Sequence, residues 1–315
     1  MEEDEEGEMR ILVLGAGAIG GYYGGRLVEG GADVTFLVRP RRAQLLAERG
    51  LVVRSALGDI ERKVKTVLAG ELREAFDLVL LSSKAYDLDD AIEAIVPAVG
   101  PRSAILPLLN GINHMAVLSG RFGAERVLGG ACGIGAVLEP SGEIRHVGNM
   151  EWLTFGEISG ERSARCEAIA KTFAGTKINA TLNDNIIQAM WDKFVMLASL
   201  AASSTLTRAN VGEMLAAPLG EWLVLEALRE CQAVAAADGH APTAEATERT
   251  RKMLTTRGSP FTASMQRDLV AGGATEGDHI IGDLVRRAEK RGLDVPLLRI
   301  ALANLQVHEA RRKKA

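Results

Sequence analysis

A lysine inside a helix that is apolar on nearly every face has few ordinary uses. Lys193 lies in such a run, from Ile186 to Leu197, with Met190, Trp191, Phe194 and Val195 around it, and a helix of that composition is expected to be buried. Its ammonium must snorkel to water, pair with a carboxylate, or face a ligand cleft where desolvation draws its pKa toward the range useful for proton transfer. Spacing alone leaves a structural ion pair and a proton donor equally open.

A second chemistry is written near the start of the chain. Ile11 to Leu14 is an unbroken apolar run, as expected of a parallel strand covered on both faces, and it leads into Gly15-Ala16-Gly17-Ala18-Ile19-Gly20. In that order, Gly15 makes the tight turn, Gly17 lets backbone approach a pyrophosphate, and Gly20 lets the next helix pack on the strand with its free N–H groups facing the anion. Another strand is expected over 33–38, after Gly30-Gly31. Its end is where an acid would hold the free 2′-hydroxyl of NAD. Arg39 stands there instead, nineteen residues after Gly20 and followed by Arg41 and Arg42. A guanidinium suits the 2′-phosphate of NADP, so the expected cofactor is NADP(H).

Other polar residues are ordinary when taken singly. Glu276 and Asp278 complement a helix start, with Thr275-x-x-Asp278 resembling a capping box. Ser264 lies on a helix expected after Ser259-Pro260. Asn110, before Gly111, follows a predicted parallel strand over 104–109, which puts its amide in the crevice where such sheets bind ligands, and Lys84 shares that placement after the strand over 76–82.

The elements that must position these groups alternate strand and helix up to about residue 182, then turn helical. A hairpin is expected from 51–54 and 64–67 around Leu57-Gly58-Asp59, antiparallel strands between 127 and 155, a helix over 163–173 and a short strand near 177–181. Asn183 or Asp184 is a candidate N-cap for a long helix to about Leu206, and Gly292 and Pro296 end one helix and start the last. The predicted architecture is α/β: an acidic disordered tail (1–8), an N-terminal Rossmann-type parallel-sheet domain (9–182), and an all-α C-terminal substrate and catalytic domain (183–315).

Composition narrows the class. The 315 residues are 47% hydrophobic and 25% charged, and the net charge of −4 is misleading because six acids crowd the first eight positions; with those set aside, the 37 basic residues slightly outnumber the acids. No nucleic-acid footprint is visible. Cys132, Cys166 and Cys231 are unpatterned, which predicts reduced thiols. The five histidines lack ligand spacing, so no metal is expected. An acidic start is unlike a signal peptide, and no uncharged apolar stretch reaches the ~20 residues that a membrane span needs, so a cytoplasmic protein is expected. The apolar residues from Trp222 to Leu228 are read as core, with a homodimer face as the alternative.

Taken together, the motifs resemble the ketopantoate reductase family (2-dehydropantoate 2-reductases of the ApbA/PanE type). The resemblance runs through Gly15-x-Gly17-x-x-Gly20 with Arg39, Ser83-Lys84-Ala85, Asn110-Gly111, Trp191-Asp192-Lys193-Phe194, Ser264-Met265-x-x-Asp268 and Thr275-Glu276-x-Asp278. It implies a helical domain like that of 6-phosphogluconate dehydrogenase and NADPH-dependent reduction of a 2-oxo acid, ketopantoate to pantoate in pantothenate biosynthesis. It also implies roles. Lys193 would be the general acid, with Glu276 on the substrate's hydroxyl side and also at the cofactor, and Asn110 and Ser264 would hold substrate. The cofactor would lie on residues 15–20, Arg39, Lys84 and Asn110. One departure bears on substrate: the family's ketopantoate reducers carry asparagines one and two turns beyond the lysine, where this chain has Leu197 and Ala201. Losing two amides predicts a more apolar 2-oxo acid. Alternatives are another two-domain dehydrogenase, of the opine or hydroxyacid type, and a non-catalytic NADP-binding regulator.

Overall fold

A computed structural model describes residues 9–314; the acidic tail read at 1–8 lies outside the described residues. The chain divides into two compact units. The first runs to Leu109 and resumes over His114–Ile187; the second comprises Asn110–Asn113 and the chain from Gln188.

In the first unit, β1 (Arg10–Leu14) leads through the glycine turn into α1 (Ala18–Glu29), followed by β2 (Asp33–Leu37), α2 (Pro40–Arg49), β3 (Leu51–Arg54), β4 (Ile60–Arg62) and β5 (Lys65–Val67). Then come β6 (Leu78–Leu81), α3 (Leu88–Ile95), β7 (Ala104–Pro107), α4 (Asn113–Phe122), β8 (Leu128–Leu138), β9 (Ile144–Glu157), α5 (Ala164–Ala174) and β10 (Ala180–Leu182). One sheet is wholly parallel, in the order β5-β2-β1-β6-β7. β1 is its middle strand, and Ile11, Leu12 and Val13 are completely buried, as its apolar run demands. A second, mixed sheet has the order β10-β9-β3-β4, with β8 antiparallel to β9.

Helix α1 is packed on both sides, and its sequence is written for that. A Cβ on Gly24 would fall 2.6 Å from the Phe36 ring of the parallel sheet, while one on Gly21 would fall 2.2 Å from Ile144 of the mixed sheet and one on Gly25 3.0 Å from Leu51. Glycine costs a helix interior about 0.5–1 kcal/mol per residue relative to alanine. That cost is offset here by apolar side chains reaching the helix backbone from two directions.

Two sequence expectations fail in this unit. Residues 64–67 do not form a hairpin with 51–54: Leu51–Val53 pairs with β4, antiparallel, while Lys65–Val67 adds to the edge of the parallel sheet beside β2. The turn at Leu57-Gly58-Asp59 is real, but the returning strand is used up after Arg62. The helix expected from Asn183 or Asp184 starts at Ile186, because the Asn183 N–H continues the strand ladder by donating to Phe155 O at 2.8 Å.

The second unit is helical: α6 (Ile186–Thr207), α7 (Val211–Ala216), α8 (Gly220–Ala237), α9 (Ala244–Leu254), α10 (Ser264–Val270), a π turn over Asp278–Gly282, α11 (Asp283–Arg291) and α12 (Pro296–Arg312). Buried hydroxyls along α6 satisfy themselves locally. Ser199, Ser203, Ser204 and Thr205 are each fully buried and each donates to the carbonyl four residues earlier, at 2.6–2.8 Å, which meets the requirement that buried polar groups be paired. Glu230, also fully buried, accepts from the N–H groups of Leu297 and Leu298 at 3.0 and 2.9 Å and so caps the start of α12.

Two expected helix starts are displaced. Pro260 precedes α10 by several residues, because the segment is spent on α7: Val211 and Gly212 donate to the carbonyls of Phe261 and Ser259. Thr275 does not cap with Asp278. Its N–H and hydroxyl both donate to Glu309 Oε1, at 2.7 and 3.0 Å, and Asp278 instead accepts from Arg286. Of the apolar stretch 222–228, Val224, Ala227 and Leu228 are core, whereas Trp222 is 59% exposed. Gly292 ends α11 in the left-handed conformation, with Pro296 opening α12, as read from the sequence.

Candidate active site

The glycine turn has the geometry that a dinucleotide needs. Gly15 has φ +86°, a conformation open to glycine, and its N–H donates to Leu37 O at 2.9 Å, which ties the turn to the end of β2. A Cβ on Gly20 would lie 2.2 Å from both Gly15 O and Ser82 Oγ, so α1 approaches the turn as closely as backbone allows. Gly17 differs. A Cβ there would meet no protein atom within 4 Å, so the chain itself gives no steric reason for this glycine, and the backbone there is open to a group approaching from outside. These residues fit a bound pyrophosphate.

The three arginines after β2 separate in role. Arg39 is the extended residue before α2, 77% exposed, with Nη2 3.3 Å from Asp87 Oδ2. Arg41 faces solvent. Arg42 is half-buried: Nε donates to Ala16 O of the glycine turn at 3.0 Å and Nη1 to Gly142 O at 2.8 Å, and burial lowers its pKa. Arg42 therefore braces the turn from α2. Lys84 follows β6, half-buried, and its carbonyl accepts from the Asp87 N–H at 3.0 Å.

In the second unit, Lys193 is half-buried and donates to Asn110 Oδ1 at 3.0 Å. Trp191 and Phe194, at 3% and 1% exposure, fix the helix on either side of it. An amide oxygen orients an ammonium without neutralising it, so the positive charge stays available. Asn110 is followed by Gly111 at φ +85°, and a Cβ on Gly111 would come within 3.1 Å of the His279 ring. His279 is hydrogen-bonded to the Asn110 backbone. Burial lowers its pKa, against the raising effects of Glu276, Asp283, the Asn110 bond and Asp278, which favours the neutral ring. Glu276 is 5% exposed, one turn before Ile280, whose N–H donates to the Glu276 backbone carbonyl at 3.0 Å.

The second unit thus brings Lys193 to Asn110, and His279 to the same turn. Ser264 stands at the first position of α10, half-buried. Leu197, one turn beyond Lys193, is half-buried, and Ala201, a further turn on, is fully buried. His279 carries no local signal in the sequence: the histidines lack ligand spacing, and only the fold brings this one to the turn at Asn110. Among the described residues, no group of three or more His, Cys, Asp or Glu side chains is placed to hold a metal ion, and no helix is long and apolar enough to cross a membrane.

Parallel sheet, glycine turn and helical second unit define the class first: an α/β oxidoreductase of the NAD(P)-dependent kind. Family models then match most of the chain, ketopantoate reductase PanE/ApbA over residues 11–160 and its C-terminal counterpart over 185–309. The chain belongs to the ketopantoate reductase family. It is 38% identical to an uncharacterized oxidoreductase, YkpB, of Bacillus subtilis, over 96% of this chain and 100% of that one. The structure of a 2-dehydropantoate 2-reductase from Methylococcus capsulatus superposes with TM-score 0.85 at 29% identity, covering 98% and 99% of the two chains. D-mandelate dehydrogenase with NADH and anilino(oxo)acetate shares the fold, with TM-score 0.88 at 23% identity and coverage of 97% and 100%.

Proposed function

We propose that this protein reduces a 2-oxo acid to the 2-hydroxy acid with NADPH, and that its substrate carries a more apolar side chain than ketopantoate. The single observation that carries the reading is the Lys193 ammonium held on Asn110 Oδ1 at 3.0 Å while fixed in an apolar helix. When bound on residues 15–20, Arg39 and Lys84, the reduced nicotinamide supplies the hydride for the keto carbon. Lys193 binds the keto oxygen, stabilises the negative charge that grows there and donates the proton. Asn110 orients that ammonium. Glu276 and Ser264 contact the substrate, and Glu276 and Asn110 also border the cofactor.

The substrate preference rests on Leu197 and Ala201. A methyl or isobutyl group cannot return the hydrogen bonds that an amide would give a substrate hydroxyl, and lost polar contacts of that sort change discrimination strongly. Ketopantoate, whose reduction serves pantothenate biosynthesis, is then a poorer substrate than a branched aliphatic or aryl 2-oxo acid. NADPH oxidation measured across such a panel tests the reading. Turnover with a higher kcat/KM for the apolar members is expected, and failure of every 2-oxo acid to oxidise NADPH would refute it.

A further inference from the structure

The salt bridge between Arg39 and Asp87 joins residues that lie far apart along the chain, and the sheet order says where it runs. β2 and β6 flank β1 on opposite sides. Arg39 follows β2 and Asp87 follows β6, so a bridge of 3.3 Å between them passes over the carboxyl end of β1, where the glycine turn begins. In an open parallel sheet this is the point at which ligands sit. Asp87 is fixed there by its N–H bond to Lys84 O at 3.0 Å, which closes the short helical turn Ala85–Asp87. Arg39 is held in extended backbone ahead of Pro40. Both side chains remain reachable, at 77% and 38% exposure. Arg42 is already committed to Ala16 O and Gly142 O.

We propose that Asp87 sets the cofactor preference of this protein, competing with the 2′-phosphate of NADPH for Arg39 and accepting a hydrogen bond from the free 2′-hydroxyl of NADH. The inference rests on the reading of Arg39 as the 2′-phosphate contact. A phosphate with charge near −2 wins the guanidinium from a carboxylate. The displaced carboxylate stays close, however, and opposes the phosphate through partly screened repulsion. With NADH the pair persists, and Asp87 does the work that an acid at the end of β2 performs in NAD-selective sheets. Preference for NADPH is therefore smaller than an unopposed arginine would give.

Fluorescence titration of the full chain with NADPH and with NADH, at low and high salt, tests this on the wild type, Arg39→Ala, Asp87→Asn and Asp90→Asn. Asp90, exposed at the start of α3, controls for the loss of one negative charge. Asp87→Asn should tighten NADPH about three- to tenfold, with the gain shrinking at high salt, and should weaken NADH about two- to tenfold. Asp90→Asn should move neither. If Arg39→Ala loses NADPH selectively while Asp87→Asn matches the wild type or Asp90→Asn, the proposal for Asp87 is wrong and the reading of Arg39 stands. If Arg39→Ala binds both cofactors as the wild type does, the reading of Arg39 fails and takes the proposal with it.

Discussion

Lys193 and His279 are opposite cases of what a residue discloses about itself. A cation in an apolar run is conspicuous in sequence, and the structure gives it a neutral acceptor, Asn110, from a loop 83 residues earlier. His279 was inconspicuous because its importance comes from a turn of chain remote in sequence. Its depressed pKa has a consequence for stability. The folded protein binds fewer protons than the unfolded chain once pH falls below the ordinary imidazole range, so stability drops as the solution is acidified through that range. His279→Gln should flatten this part of the curve between about pH 7 and pH 5, as read by denaturant unfolding at several pH values. Parallel curves for the two proteins would show that burial of His279 carries no such penalty.

At the scale of elements, what the sequence disclosed was what local pattern determines. The apolar runs gave β1, β6 and β7 and the helical period gave α6; the helix expected over 163–173 is α5, and the structure adds that Ser163 caps it by accepting from the Cys166 N–H at 3.3 Å. The misreadings share one cause. At 64–67, at Ser259-Pro260 and at Thr275-x-x-Asp278 the backbone groups were claimed by distant partners, namely β2, α7 and Glu309. Such claims leave no local mark. The four closely packed glycines of α1 were likewise only partly legible, since Gly20 belongs to a known turn but Gly21, Gly24 and Gly25 answer to side chains from two sheets. Gly17 offers the cleanest test of the turn itself. With φ −80° and open space where a Cβ would go, Gly17→Ala should leave stability within about 0.5 kcal/mol of wild type and weaken NADPH at least tenfold. Undiminished binding in calorimetric titration would mean that no group approaches the backbone there.

At the scale of the whole molecule, the nucleotide-binding turn lies in the first compact unit, while Lys193, Asn110, Glu276 and His279 lie in the second. Family membership places the chain among oxidoreductases acting on CH–OH groups; the proposed preferences for acid and for cofactor rest on this chain's own Leu197, Ala201 and Asp87. In the proposed reaction Lys193 supplies the proton to the keto oxygen. The most direct test of this step is the rate of 2-hydroxy acid formation by Lys193→Ala at saturating NADPH, with the apolar 2-oxo acid that the wild type turns over fastest. A kcat lower by about 10²- to 10⁴-fold is expected, with NADPH still bound; turnover at the wild-type rate would contradict that role for Lys193.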